Sequence, residues 1–293
     1  MQSRKGSLSI ESENMFPIIK KWLYSDHDIF IRELVSNGCD AITKLKKLDI
    51  MGEYTIPDDY KASIQVVVDT EGKSISFTDT GLGMTEDEVD EYINQVAFSG
   101  ATDFLEKYKD KANEEQIIGH FGLGFYSAFM VADRVTIDTL SWKEGATPVR
   151  WESEGGINFE MSEGDKSEIG TTTLYLSEDS LEFANEYRVR EVLTKYCSFM
   201  PVEIFLSKEG AEQEYETIDK EELREDDVVV ENIVEEAKTE ERENENGEKE
   251  VVEVSPRKEK VKINKRPVSI STTTPLWMKH PNDCTDDEYK EFY

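Results

Sequence analysis

The sequence contains little cysteine, and its cysteines do not stand in pairs. Cys39, Cys197 and Cys284 are far apart in the chain and form no CxxC motif. An odd number of isolated cysteines argues against a disulfide framework and against a zinc site, and it indicates a reducing compartment.

Long apolar runs are also missing. No stretch approaches the roughly 20 apolar residues that a helix needs to cross a bilayer. Glu11, Glu13 and Asn14 interrupt the first 25 residues, so this region lacks the apolar segment of a signal peptide. The sequence therefore predicts a cytoplasmic protein.

Basic residues are scarce relative to acidic ones. The chain has 34 Lys and Arg against 64 Asp and Glu, which gives a formal net charge of −30. Such a surface repels nucleic acid phosphates and anionic membranes, so neither is expected as a partner. Cationic or polypeptide ligands are weakly favoured. Apolar residues make up 37% of the chain, which is enough to form a core.

The acidic charge is concentrated in one segment. Residues 207–262 hold 21 acidic and 10 basic side chains with few aromatics. This composition cannot bury enough apolar surface to offset chain entropy, so its middle is expected to be a flexible linker. We predict an N-terminal domain over 1–215, an acidic charged linker over 216–262, and the beginning of a further, truncated domain over 263–293.

The apolar spacing before the linker predicts a mixed fold. It is helical over 14–48, with a break at 26–28, and again over 181–199. Strand-like runs occupy 64–68, 74–78, 134–140, 147–152, 171–176 and 202–206. Hairpin-length turns join most strands, so we predict an α+β two-layer sandwich, a mostly antiparallel sheet with helices on one face.

The first motif is a polar stripe on the first helical region. At about 100° per residue, Glu33, Asn37, Asp40 and Lys44 fall within about 60° of each other. A possible base, an amide and a second carboxylate suit a magnesium triphosphate and an attacking water. The alternative is a solvated helix face with i,i+4 pairs. Asn is a poor helix former, which weakens that alternative.

The second motif is Asp79-Thr80-Gly81-Leu82-Gly83-Met84, which directly follows a strand-like run. Two glycines let the backbone approach a planar ligand, and the aspartate can accept a hydrogen bond from an exocyclic amine. The alternative is an ordinary glycine-rich turn before a helix over 85–93, which Thr85 and Glu88 would open with a capping box.

Two further glycine motifs follow. Gly119 to Phe125 reads GxxGxG before an apolar helix, which offers free backbone N–H groups to an anion. The order of its glycines fits neither a dinucleotide-binding fingerprint nor a Walker loop. Gly170-Thr171 enters a strand and means nothing alone. The polar segment 94–118 between the second and third motifs is a candidate lid.

Taken in this order, the four motifs resemble the ATPase superfamily of type II topoisomerases, MutL, sensor histidine kinases and the ninety-kilodalton heat-shock chaperones. The resemblance is closest to the chaperones of the bacterial HtpG type. Three longer strings carry it: Ile29 to Asn37, Gly119 to Phe129, and Pro275-Leu276-Trp277 with the aromatic residues that follow. It implies a Bergerat-type ATP-binding fold and an ATP-dependent chaperone that acts on client polypeptides.

The resemblance also implies a role for each site residue. Glu33 is the general base that activates water, and Asn37 coordinates Mg²⁺ together with the ATP phosphates. Asp79 binds the adenine amino group. The remaining ATP-binding residues are Asp40, Ala41, Lys44, Gly83, Met84, Gly122, Leu123, Gly124, Phe125 and Thr171.

The family's cycle is implied as well. ATP binding and hydrolysis drive lid closure and N-terminal dimerisation, with a homodimer as the full-length form. The cation that completes the site is an arginine of the middle domain, of which 263–293 are only the beginning. Hydrolysis by the present chain is therefore expected to be slow.

Three residues qualify the resemblance. Phe98 stands where the family usually has a lid lysine, so a charge contact between lid and phosphate is in doubt. His120 replaces the usual glutamine and is expected to be a packing residue rather than a pH sensor. Cys39 falls on the apolar side of its helix, which predicts a buried, inert thiol.

Two other functions are compatible with the superfamily. One is a nucleotide-sensing module without turnover, against which Glu33 argues. The other is a phosphotransfer kinase, but His27, His120 and His280 are the only histidines and none lies on a phosphoacceptor helix.

Overall fold

A computed structural model describes residues 26–95, 118–119, 122–155, 158–167, 171–224, 226–235, 238–243, 249–255, 258–280, 284–285 and 289–290. They belong to two compact units, Met1–Glu209 with Ser269–Tyr293 and Gly210–Val268. The part of the first predicted helical region before residue 26 and most of the candidate lid lie outside these ranges.

The first unit contains a seven-stranded sheet. Its strands are β1 Ser63–Asp69, β2 Ser74–Asp79, β3 Ala132–Thr139, β4 Val149–Ser153, β5 Glu160–Glu163, β6 Thr171–Leu176 and β7 Glu203–Lys208. They are arranged in the order β5-β4-β3-β6-β2-β1-β7. The β1–β7 pair is parallel and the other neighbours are antiparallel. The predicted α+β class with a mostly antiparallel sheet is confirmed.

Among the described residues, three α-helices accompany this sheet: α1 Ile29–Met51, α2 Glu86–Tyr92 and α3 Glu186–Cys197. Helix α1 packs on β1, on β2 and on α3. Phe30 of α1 is fully buried, and its ring meets Phe77 of β2 and Phe183 edge-on at centroid distances of 6.3 and 4.9 Å. This apolar contact fixes the helical layer on one face of the sheet.

The local structure differs from the sequence prediction at two helices. The helix predicted over 181–199 is divided into a 3-10 helix, Glu178–Phe183, and α3. Asn185 causes the division, because its side chain accepts hydrogen bonds from the backbone N–H groups of Tyr187 and Arg188 and so caps α3. The apolar segment after the third motif is a 3-10 helix, Gly124–Met130.

The second unit contains paired strands in the segment that its composition assigns to a linker. Strands β8 Tyr215–Asp219, β9 Val229–Glu235 and β12 Lys258–Asn264 form a sheet in the order β8-β12-β9. Strands β10 Lys238–Glu243 and β11 Lys249–Ser255 form a hairpin. Backbone ladders do not require apolar side chains, which is why composition alone could not predict these strands. The boundaries 216 and 262 stay predictions.

Within the second unit, one arginine connects several parts of the chain. Arg266 Nε and Nη2 donate to the two carboxylate oxygens of Asp227 at 2.8 and 2.6 Å, and Nη2 also donates to the Glu222 carbonyl at 2.8 Å. The bidentate pair lowers the pKa of Asp227 to about 2. Val261 and Ile263 of β12 are buried.

An ion-pair network joins α3 to the beginning of α1. Arg188 donates to Asp28, whose side chain is only 9% exposed, and to Glu182 and Glu191 at 3.1 and 2.9 Å. Tyr196 donates to Asp26 at 3.0 Å. Burial raises the pKa of Asp28, and the Arg188 guanidinium opposes that shift. The arginine is therefore the group that makes the burial of this carboxylate tolerable.

We expect Arg188→Ala to lower the free energy of unfolding by about 1–3 kcal/mol, because the buried Asp28 carboxylate loses its hydrogen-bonded partner and keeps only a longer contact of 4.0 Å with Lys195. Arg190→Ala is the matched control, since Arg190 pairs with Glu186 on the exposed part of the same helix and should cost about 0.5 kcal/mol or less. Urea unfolding of both variants measures the difference. Equal losses would contradict the structural role given to Arg188.

Candidate functional site

A cavity of about 730 Å³ opens between α1, the segment after β2 and the third glycine motif. Its floor comes from β2, β3 and β6. Every site residue predicted from the sequence except Thr171 lines it: Glu33, Asn37, Asp40, Ala41, Lys44, Asp79, Gly83, Met84, Gly122, Leu123, Gly124 and Phe125. Segments separated by up to about 90 positions in the sequence thus meet at one place.

Gly38 allows α1 to lie close to the sheet. A Cβ atom at this position would be 3.0 Å from Ile64 Cδ1 and 3.1 Å from Asp79 Cβ. The absence of a side chain brings the helix face that carries Asn37 and Ala41 beside the end of β2. The polar stripe of α1 is therefore part of a cavity wall and not a plain solvated face.

Glu33 lies between an arginine and a glycine. Its Oε1 accepts hydrogen bonds from Nε and Nη2 of Arg32 at 3.3 and 2.6 Å. A Cβ atom on Gly124 would be only 2.8 Å from Glu33 Oε2. The backbone of the third motif can lie against the carboxylate only because this residue has no side chain.

Asp40 fixes the beginning of the third motif. Its Oδ1 accepts from the Ile118 N–H at 2.8 Å, and its Oδ2 accepts from the Gly119 N–H at 2.7 Å. The side chain is buried, and the two donors satisfy it. This function, in which the carboxylate holds a backbone segment, was not predicted from the sequence, because the partners are almost 80 residues away.

Asp79 is a half-buried acid that lines the cavity. It ends β2, and its Oδ1 accepts from the Gly81 N–H at 2.8 Å. Burial raises the pKa of Asp79 to about 6, although the bond from Gly81 and the charge of Lys166 act in the opposite direction. A carboxylate desolvated to this degree suits a ligand that supplies a hydrogen-bond donor.

The segment after Asp79 is held at several points. Gly83 has a φ of +62°, and a Cβ atom there would be 1.9 Å from the Leu140 carbonyl oxygen. The Met84 N–H donates to Thr139 Oγ1 at 3.0 Å, and the Trp142 N–H donates to the Leu82 carbonyl at 2.8 Å. These bonds join the segment to β3 and to the residues after it, which distinguishes it from an ordinary surface turn.

Helix α2 begins as the sequence predicts. The Glu88 N–H donates to Thr85 Oγ1, and the Glu88 side chain accepts from the Thr85 N–H at 2.8 Å, which completes a capping box. Glu88 also lines the cavity and pairs with Lys143 at 2.9 Å. The role of Glu88 in the capping box was predicted from the sequence, but its position at the cavity was not.

Two charged or reactive side chains have pKa values shifted by burial. Desolvation lowers the pKa of Lys44, while Asp40 and Glu88 act against that shift. Cys39 is fully buried, and burial raises the pKa of its thiol to about 12. A thiol that stays protonated and inaccessible is inert, as the sequence predicts.

Several predicted features are not described by the structure. Phe98, His120, Gly170 and most of the candidate lid lie outside the described residues, as does the side chain of Thr171. The neighbouring Thr172 lines the cavity. The role of Thr171 stays a prediction.

The described residues contain neither a metal-ligand cluster nor a helix that could span a membrane. No group of three or more His, Cys, Asp or Glu side chains in this part of the chain could hold a metal ion. Among the described helices, none combines the length and the apolar character that crossing a membrane requires.

Comparisons with known proteins agree with this geometry. A family model described as "Histidine kinase-, DNA gyrase B-, and HSP90-like ATPase" matches residues 25–169, and one described as "Hsp90 protein" matches residues 182–293. The first match covers most of the cavity, and the second covers α3, β7 and the second unit.

Relatives match nearly the whole chain. The chain is 41% identical over 291 residues to the chaperone protein HtpG of Bacteroides thetaiotaomicron and 39% identical over 292 residues to that of Porphyromonas gingivalis. Each match covers 99% of this chain and 36% of the relative. The HtpG of Idiomarina loihiensis is 32% identical, over 100% of this chain and 40% of the relative.

The chain thus spans between a third and two fifths of the length of these relatives. Its two family matches lie in the same order as the ATPase cavity and the segments that follow it. The chain belongs to the Hsp90 family and carries an HSP90-like ATPase domain.

Proposed function

We propose that this chain is the ATP-binding and ATP-hydrolysing part of a molecular chaperone. One observation carries the proposal: Glu33, Asn37 and Asp79 line a single cavity in which the third glycine motif lies against Glu33. A nucleotide whose base reaches Asp79 and whose phosphates reach the glycines would place its terminal phosphate beside a carboxylate.

The cavity fits a nucleotide with magnesium. Gly119 and Gly124 provide a cradle that side chains would fill, because a Cβ atom on either would be 3.2 Å or less from Asp40 or Glu33. The lining is rich in acids, so a triphosphate needs a cation to enter it. Mg²⁺ supplies charge neutralisation at the phosphates and takes oxygen ligands, and the Asn37 side chain can give one of them.

The proposed mechanism assigns a separate task to each polar group. Asp79 accepts a hydrogen bond from the adenine amino group. Backbone N–H groups of Gly122 to Phe125 donate to phosphate oxygens. Glu33 accepts a proton from the water that attacks the terminal phosphate, with Arg32 holding its other oxygen in place.

The whole chaperone's cycle extends beyond this site. We propose that ATP binding closes segment 94–118 as a lid, that N-terminal domains then pair, and that the complete protein is a cytoplasmic homodimer. Its clients are polypeptides, with neither nucleic acid nor membrane as partner, in keeping with the net charge of −30.

A second candidate function is nucleotide sensing without turnover. The Arg32–Glu33 pair favours it, because the Arg32 guanidinium already occupies the Oε1 atom of the carboxylate at 2.6 Å. Both candidates require nucleotide binding, and they differ only in whether Glu33 accelerates hydrolysis.

The adenine contact is tested by Asp79→Asn. Because a charge-assisted hydrogen bond is lost, we expect ADP affinity measured by calorimetry to fall by about 10- to 100-fold. Asp138→Asn, on the opposite face of β3, is the matched control and should bind normally. Near-normal ADP affinity in Asp79→Asn would mean that the adenine base does not bind at Asp79.

The pH dependence gives an independent test of the same contact. The acid with a pKa of about 6 loses its charge as the pH falls through that value. ADP affinity of the unaltered chain should therefore decrease between pH 7 and pH 5, and this decrease should be absent in Asp79→Asn. An affinity that does not change over this range would show that the charged carboxylate is not the acceptor.

The base is tested by Glu33→Ala. Turnover of bound ATP should fall by about 10²–10⁴-fold while affinity changes little, because a general base acts mainly in the transition state. Glu86→Ala, an exposed acid on α2, is the control. If the rate of hydrolysis per bound nucleotide in Glu33→Ala stays within a few-fold of that of the unaltered chain, Glu33 is not the base and the sensing function is favoured.

Completeness of the site is tested by single-turnover hydrolysis at saturating ATP. A cation aimed at the terminal phosphate is worth about 10³–10⁵ in rate in other nucleotide hydrolases. Of the described cations lining the cavity, Arg32 pairs with Glu33, and Lys44 interacts with Asp40 and Glu88. The 293-residue chain should therefore be slower than the full-length Bacteroides thetaiotaomicron relative by about 10³-fold, the lower end of that range. Equal rates would mean that no further cation is needed.

A further inference from the structure

The three-stranded sheet of the second unit has a basic strand between two acidic ones. Strand β12 carries three lysines and one glutamate, whereas β8 and β9 each carry two acids and no base. In the register, Lys258 stands opposite Glu235 and Lys262 stands opposite Glu231. Lys260 donates to Glu235 at 3.0 Å. Opposite charges on neighbouring strands thus support the pairing of β9 with β12.

Strand β9 is an edge of this sheet. Among the described strands it has a neighbour on one side only, because the order is β8-β12-β9. In an antiparallel pair, the N–H and C=O groups of alternate residues point away from the partner strand. Four valines in this strand or directly before it are between 42% and 59% exposed: Val228, Val229, Val230 and Val234. We call residues 228–235 the β9 edge. An exposed edge with apolar side chains is a surface to which a further strand can add.

The charge of the β9 edge determines which kind of strand fits it. A second copy of the chain would bring Glu231 and Glu235 against identical acids, and two chains with a net charge of −30 repel each other. A strand in which basic residues alternate with apolar ones has the character of β12, as in Lys260-Val261-Lys262-Ile263. Such a strand would repeat, on the open side of β9, the charge pairing that β9 already has with β12.

We propose that the β9 edge binds an extended, basic segment of a polypeptide by strand addition. Main-chain hydrogen bonds hold the segment, the valines contact its apolar side chains, and Glu231 and Glu235 pair with its cations. This inference rests on the proposed function in taking the segment as part of a client, but it uses no residue of the nucleotide cavity.

Three short synthetic peptides with a fluorophore test the chemistry on the unaltered chain by fluorescence anisotropy. The first alternates lysine with valine and is expected to bind. The second has glutamate in place of lysine and should bind at least about tenfold more weakly, because its charges are repelled. The third is the lysine peptide N-methylated at its central amides. It keeps the charge but cannot donate hydrogen bonds to a strand, so a loss of at least about tenfold is expected.

Two lysine substitutions locate the site on the chain. Val234→Lys adds a cation where β9 pairs with β12 without a shift, and the sheet can accept it because Val234 stands opposite Glu259. It should weaken the lysine peptide by about five- to tenfold, since an apolar contact is lost and like charges meet. Val268→Lys is the matched control, because it adds the same charge to the same unit at an exposed residue outside the strands. Its affinity should stay within about twofold of that of the unaltered chain.

Several results would overturn the proposal. One is failure of the lysine peptide to bind the unaltered chain, and another is equal binding of the methylated peptide, which would mean that attraction to the net charge is sufficient. Equal losses in Val234→Lys and Val268→Lys would place the peptide elsewhere. A dimer of the unaltered chain in sedimentation that Val234→Lys dissociates would make a second copy the occupant. The peptide series needs no variant, so it decides the question even if Val234→Lys does not fold. ADP calorimetry on the same sample tests the proposed nucleotide function separately.

Discussion

Helix α1 lies against the sheet at Gly38, and the geometry of the site depends on this contact. A side chain at that position would meet Ile64 and the Cβ of Asp79, so the helix would have to move away from β1 and β2. Ala41, one turn later, lies close to the segment after β2, because a Cβ atom on Gly81 would be 2.4 Å from the Cβ atom of Ala41. The small residues Gly38 and Ala41 of the helix and Gly81 after β2 thus allow Asp79 to lie beside the polar face of α1.

The opposite wall depends on contacts of a different kind. Asp40 binds two consecutive backbone N–H groups at the beginning of the third motif, and Gly124 allows the end of that motif to approach Glu33. The same helix therefore meets the end of β2 through Gly38 and the third motif through Glu33 and Asp40. Ion pairs of Arg188 hold the beginning of this helix on α3, which makes α1 a rigid support for groups that must keep their distances.

The sequence predicts those parts of the structure that follow from local rules. The helical period of α1 placed Glu33, Asn37, Asp40 and Lys44 on one stripe, and all four line the cavity. The capping box at Thr85 and the mostly antiparallel sheet were predicted as well. Each of these results depends on residues within a few positions of each other, or on the pleat of a single strand.

Such local rules could not predict contacts between residues that are far apart in the sequence. The partners of Asp40 lie at Ile118 and Gly119, and no pattern near Asp40 indicates them. The position of Thr172 at the cavity depends on the register of β6 with β2 and β3, which no pattern within β6 indicates. Strand β5 is polar and mostly exposed, so its sequence carries no apolar alternation. The strands of the second unit were missed because their ladders form in a segment with few apolar residues.

The carboxylates around the cavity differ in environment, and this difference separates their tasks. Asp40 accepts from two backbone N–H groups, and Glu33 is bound on one oxygen by Arg32. Asp79 accepts from the Gly81 N–H, and burial raises its pKa to about 6 against that bond and the charge of Lys166. An acid that already holds two backbone N–H groups stabilises the segment that carries them, whereas a desolvated acid with fewer donors gains most from a ligand that brings one. Under the proposed function the adenine amine is that donor, and the energetic cost of desolvating Asp79 would then favour a base with an amino group at that edge.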